Sequence, residues 1–120
     1  MNTIRHGAIH GFLAVVAGAF GAHGLQNILS EAALHTWQTA VTYHLAHALA
    51  LVMVGLLEEQ RRVRLNVVHY AFGIGILLFS GSLYALALSG IKVLGIITPF
   101  GGVAFLAGWL ALAKTGARRI

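Results

Sequence analysis

The sequence predicts an all-α integral membrane four-helix bundle with both termini cytoplasmic, and three observations carry that expectation. The 120-residue chain is 58% hydrophobic and only 9% charged, against roughly 25% charged residues in soluble domains. Its apolar residues gather into four runs, His6–Gly24, Thr36–Leu57, Val67–Gly90 and Pro99–Thr115. Seven of its eight Lys and Arg residues then share one side: Arg5, Arg61, Arg62, Arg64, Lys114, Arg118 and Arg119, with Lys92 alone opposite. Positive residues are retained on the cytoplasmic face, so that face should hold both ends and the central loop. A water-soluble domain this small has too little interior to hide so much apolar surface, whereas lipid covers the outside of a bundle. The length fits one domain, with spans at about 6–24, 36–57, 67–90 and 99–115.

A membrane helix needs about 20 residues, because the hydrocarbon core is about 30 Å thick and each residue rises 1.5 Å. The first run begins after Arg5 and should end at Gly24, since glycine tolerates the left-handed closing conformation. On a helical wheel Gly7, Gly11, Ala14, Gly18, Gly21 and Ala22 share one sector, and Phe12, Val16 and Phe20 the reverse. Small residues let membrane helices approach closely, so the first set is expected to pack inward and the second to meet lipid. Arg5, the apolar stretch and Ala19–Ala22 superficially resemble a secretory signal. His6 and His10 interrupt that resemblance, and the run is expected to be retained.

Ser30 should start the second helix outside the bilayer, with Trp37 near the outer boundary as an anchor. The loop Glu58–Leu65 carries two of the three acids and three arginines, and should face water. Asn66 is a candidate cap for the third helix, Tyr70 an anchor near the inner boundary, and Gly81 with Ala85 a short small-residue seam. For the fourth, Thr98 can cap and Pro99 suits the first helical position, where no donor is needed. Ala104 and Gly108 supply its seam.

The formal charge of +5 does not imply nucleic acid, because no basic stripe interleaved with aromatics runs through a polar segment. At membrane edges each cation is instead worth about 1 kcal/mol of attraction to anionic headgroups. The expected partners are membrane lipids, with a second copy of the chain or other membrane proteins as candidates. Cysteine is absent, which excludes disulfides, thiolate metal sites and cysteine nucleophiles.

Seven histidines in so apolar a chain are the main functional signal, since ionisable groups within a membrane usually face the bundle interior or water. The candidate polar intramembrane site is His10, Tyr43, His44, His47, Ser80 and Tyr84. His10 lies about a turn inside the boundary. His44 and His47 lie near mid-membrane, and their spacing places both on one side of the second helix. His6, His23, His35 and His69 lie at or beyond the ends and are expected to be hydrated. Three readings compete for the internal imidazoles. They form interhelical hydrogen bonds worth about 0.6–2 kcal/mol each, which is the leading reading; they shuttle protons; or they ligate a metal or haem. No catalytic residue, metal ligand or cofactor is assigned. The chain has no Asp and no carboxylate within a span, Ser80, Ser82 and Ser89 sit in no nucleophile motif, and Gly73/Gly75 and Gly101/Gly102 lack a phosphate-binding context.

Four ordered blocks resemble a known family. They are Gly18-Ala19-Phe20-Gly21-Ala22-His23; Trp37 with Thr39-Ala40-Val41 and Tyr43-His44-Leu45-Ala46-His47-Ala48; Phe79-Ser80-Gly81-Ser82-Leu83-Tyr84; and Ile97-Thr98-Pro99-Phe100-Gly101-Gly102 through Gly108-Trp109. They are similar to domain of unknown function family 423, also called uncharacterised protein family 0382, whose relatives include transmembrane protein 256-like proteins. The resemblance covers nearly the whole chain and implies a multi-pass inner or plasma membrane protein. It carries over no reaction, substrate or catalytic residue. It also implies Gln in place of His44 in some relatives, which moves attention to His23 and His47.

Overall fold

The computed structural model of the chain describes residues 2–117; Arg118 and Arg119, counted in the charge asymmetry above, lie outside them. All regular structure among the described residues is helical. The helices are α1 (Thr3–His23), α2 (Glu31–Arg61), α3 (Asn66–Gly75), a π-helical segment (Ile76–Gly81), α4 (Ser82–Ser89), a 3-10 turn (Lys92–Ile96) and α5 (Thr98–Ala117). The molecule measures 50 × 26 × 23 Å. α1 packs along α2, and α3 along α5, with α2 and α4 joining the two pairs.

Helix ends follow local chemistry, in places differently from the sequence expectation. Asn2 caps α1 by accepting from the Arg5 N–H, and Ser30 caps α2 by accepting from the Ala33 N–H. Gly24 closes α1 in a right-handed conformation (φ −89°), so the left-handed closure expected there is absent. That conformation appears instead at Arg62 (φ 54°) and Gly90 (φ 72°). Asn66 does not cap α3. The cap position is Leu65, whose N–H donates to Glu58 Oε2 at 2.8 Å, so the carboxylate ties the end of α2 to the start of α3. Thr98 spends its hydroxyl on Ser82 Oγ, 2.6 Å away, and joins α4 to α5.

Residues Asn66–Ser89 form one continuous rod with a wider π turn at its middle. A step of four residues overshoots a full turn of a 3.6-residue helix by about 40°. A turn holding more residues undoes that drift. Val68, Phe72, Ile76 and Ser80 are therefore all buried at four-residue spacing, and Tyr84 continues the series to a bond with His44.

The α3–α5 interface is apolar and built from glycine against aromatic rings. Gly75 faces the Phe105 ring, Gly101 lies against the Phe79 backbone, and a Cβ on Gly108 would sit 2.6 Å from Phe72. Gly81 and Ala85, expected to form a seam, do not: a Cβ on Gly81 meets only the Ile76 carbonyl at 3.9 Å, and Ala85 is exposed. On α1, a Cβ on Gly7 would meet Val52 N at 2.7 Å, on Gly18 the Val41 side chain at 3.3 Å, and on Gly21 the Trp37 ring at 2.7 Å. Ala14 is fully buried. Gly11 meets nothing within 4 Å and Ala22 is exposed. The inward stripe is thus narrower than the helical wheel suggests, because α1 packs mainly along α2 and meets α3 only at its start. Phe12, Val16 and Phe20 are exposed on the far side.

Candidate functional site

The histidines do not sit apart from one another. Although separated by 34 residues, His10 on α1 and His44 on α2 meet with Nδ1 of the first 2.9 Å from Nε2 of the second. His44 Nδ1 lies 2.9 Å from the Tyr84 hydroxyl on α4. A neutral imidazole offers one donor and one acceptor, so the row admits two polarities. Either Tyr84 donates to His44 and His44 to His10, or every donor and acceptor is reversed. His44 is 5% exposed, and both its nitrogens are engaged.

Two histidines expected to be hydrated belong to the same side of the molecule. His69 Nε2 lies 3.1 Å from His6 Nδ1, and His69 Nδ1 lies 2.7 Å from the hydroxyl of buried Thr3. The rings of His6 and His10 follow each other along α1 with centroids 4.8 Å apart. This grouping was hidden because it joins α1 to α3 across 63 residues. One signal was available: the start of α1 and the start of α3 belong to the same end of the bundle, which places His6 and His69 at equal depth. His23 and His35 are exposed, as a hydrated reading requires.

His44 and His47 do not share a partner surface. Three residues on a helix are about 60° apart, and the boundary between two neighbouring helices falls within that angle. His44 turns to α1 and α4, while His47 turns to α5. The His47 Nδ1–H donates to the Tyr43 carbonyl at 2.8 Å, which leaves Nε2 to accept the Trp109 N–H at 3.0 Å. Its ring stacks on Phe105 with centroids 3.6 Å apart. Tyr43 is 43% exposed and packs its ring near Phe79. Ser80 is fully buried in the π turn and donates to the Ala40 carbonyl of α2 at 2.8 Å.

Trp37 is not an exposed boundary anchor. It is 6% exposed, lies over Gly21, and donates its ring N–H to the Ala17 carbonyl at 2.8 Å. With Leu25 and Ala87 it closes the bundle above Tyr84, whose ring centroid is 4.6 Å from that of Trp37. Tyr70, by contrast, is 63% exposed.

The donor sets have clear chemical limits. Among the described residues no three His, Asp or Glu side chains converge on a point where a metal ion could be held. His47 has no free nitrogen, and His44 would have to abandon two hydrogen bonds to ligate. The geometry suits neutral imidazoles that bridge helices and exchange donor and acceptor roles.

Among the described residues three stretches are long and apolar enough to cross a membrane: Glu31–Arg61, Asn66–Ser89 and Lys92–Gly116. α1 has the length, at 21 residues, but its three histidines and its glycines dilute its apolar character. Long apolar helices cross-bridged by buried imidazoles define a helical membrane protein. The family described as "Protein of unknown function (DUF423)" matches residues 17–102. A UPF0382 membrane protein of Staphylococcus saprophyticus is 47% identical over 106 residues, covering 88% of each chain. The UPF0382 membrane protein YwdK of Bacillus subtilis is 44% identical over 108 residues, again covering 88% of each. The chain belongs to this family of uncharacterised membrane proteins, as the four sequence blocks implied. No solved structure matches it.

Proposed function

We propose that the protein is a non-catalytic, four-span protein of the inner or plasma membrane, with both termini and the arginine loop in the cytoplasm, acting through lipid and neighbouring membrane proteins. The observation that carries this reading is α1. It has an exposed apolar side of Phe12, Leu13, Val16 and Phe20, and it seats Gly7, Gly18 and Gly21 against a helix that itself qualifies as a span. Its His6 and His10 are turned inward to partners, which lowers the cost that would otherwise keep them out of lipid.

Charge supports the orientation. Arg61 donates to the Thr115 carbonyl at 3.4 Å, so the end of α5 lies beside the arginine loop, and Arg5 and Lys114 share that end. A non-catalytic role is supported by the state of the buried polar groups: among the described residues every buried side-chain nitrogen and oxygen has a hydrogen-bond partner. A girdle of exposed residues such as Leu49, Met53, Leu77, Val103 and Leu110 suits lipid or another helix.

The absence of cysteine makes topology directly measurable. In intact cells an impermeant maleimide should label Ile28→Cys and Lys92→Cys, while Asn2→Cys and Arg62→Cys should react only after lysis. Labelling of Asn2→Cys and Ile28→Cys from the same side would remove α1 from the membrane. Labelling of Arg62→Cys from outside would invert the protein.

A further inference from the structure

We propose that Thr3, His69, His6, His10, His44 and Tyr84 form a one-ended proton path, open at the arginine end and stopped beneath Trp37. It rests on the four-span reading above, because only an inserted α1 isolates the row of imidazoles from water along its flank.

The path starts in a cavity of about 520 Å³ lined by Thr3, Glu58, Glu59, Arg62 and Arg64. Two of the chain's three carboxylates stand there, where they can collect protons from water and hand them on. Thr3 both lines this cavity and reaches His69, at 2.7 Å. From His69 the row runs 3.1 Å to His6, then from His10 2.9 Å to His44, and 2.9 Å to Tyr84. The single step without a direct hydrogen bond is His6 to His10, whose ring centroids are 4.8 Å apart. One bridging water or one ring rotation spans that separation.

A proton entering from the cavity hops inward as each imidazole takes it on one nitrogen and releases the proton held on the other. At His44 it is held as imidazolium, both N–H groups donating, because Tyr84 has no acceptor beyond it to which it could pass a proton. The proton leaves by the same hops in reverse, which restores the original polarity, so the row exchanges protons with the cavity and transfers none across. Tyr84 is the terminus because its ring abuts the plug. The plug is apolar: Leu25, Trp37 and Ala87 are 3%, 6% and 6% exposed, and the one Trp37 donor is committed to the Ala17 carbonyl. The protein therefore exchanges protons between its interior and one compartment only.

Purified full-length protein in phosphatidylcholine–phosphatidylglycerol liposomes, with an internal pH dye and an imposed gradient, tests this. The wild type should leave proton flux at the background of empty liposomes. Trp37→Ala should raise it by about tenfold, the change produced by lowering a barrier by about 1.4 kcal/mol. Trp37→Ala with His44→Gln should return to background, since an amide keeps the hydrogen bonds but does not exchange protons as imidazole does. Flux through the wild type, no flux in Trp37→Ala, an equal leak in the double variant, or accompanying sodium flux would each overturn the path.

A second measurement avoids any variant of the plug. In bilayers of protein labelled with 15N-histidine, exchange of the His44 ring N–H with water should slow about tenfold in His6→Phe, the same barrier change in reverse. Exchange unaffected by that substitution would also overturn the path. The maleimide experiment separates the two levels: opposite-sided Asn2→Cys and Ile28→Cys with failed His44 dependence would reject the path alone.

Discussion

The two helix pairs of this protein adhere by different means. Between α3 and α5 the contact is apolar, with Gly75, Gly101 and Gly108 bringing backbone against Phe105, Phe79 and Phe72. Around α1 and α2, glycine contacts at Gly7 and Gly21 are accompanied by imidazole bridges to α3 and α4. Lipid is as apolar as leucine, so on the four-span reading neither pair is driven together by the hydrophobic effect. Close packing supplies attraction at short range, while hydrogen bonds specify which rotation of a helix is correct. The comparison teaches that specificity and adhesion are distributed unevenly here.

The sharpest way to break the apolar pair is Gly101→Val. The added carbons would meet the Phe79 backbone, which cannot swing aside as a side chain can. We expect a loss of about 3 kcal/mol, the upper range for overpacking, read as a lowered melting point in detergent. Survival of the wild-type melting point would mean that the α3–α5 contact is looser than described.

Next is the polar intrusion into that pair. Trp109→Phe keeps the stacking surface but strips the donor from His47 Nε2, leaving a buried acceptor unpaired. A cost of about 1–3 kcal/mol is expected, with secondary structure by circular dichroism unchanged. A smaller effect is expected from Ser80→Ala, which removes one bond to the Ala40 carbonyl. Interhelical hydrogen bonds in membranes average about 0.6 kcal/mol, and the carbonyl belongs to a helix, so a loss above twice that value would point to a further role for Ser80. Smallest is Gly11→Ala. Nothing stands within 4 Å of the new Cβ, so the variant should match the wild type or gain up to about 1 kcal/mol of helix stability; destabilisation would place a partner on that side of α1.

What the sequence made legible was one-dimensional. Ser30 as a cap and the exposure of Phe12, Val16 and Phe20 follow from local chemistry and helical period, and the structure shows them. The site was legible in membership more than in arrangement. His10, His44 and Tyr84 come together, but His47 leaves the group because neighbouring helices divide α2 between them. His6, His69 and Thr3 enter it through a contact that no spacing encodes. Trp37 was misplaced for a related reason: an aromatic near a helix end suits an interface, and only the cleft over Gly21 shows why it is interior.

The π turn has a consequence for how this protein can change. It is the place where the third rod carries surplus length, and both Ser80 and Tyr84 owe their heading to it. Deleting one residue between Ile76 and Gly81 would remove that surplus and leave everything beyond facing as it does, whereas straightening the turn with every residue kept would swing the far half by about 100°. The hydroxyl latch on Ala40 and the phenol at His44 would be lost in the same stroke, while Val68 and Phe72 kept their seats. The form of one turn thus separates a helix that reads its neighbour along its whole length from one that reads only half.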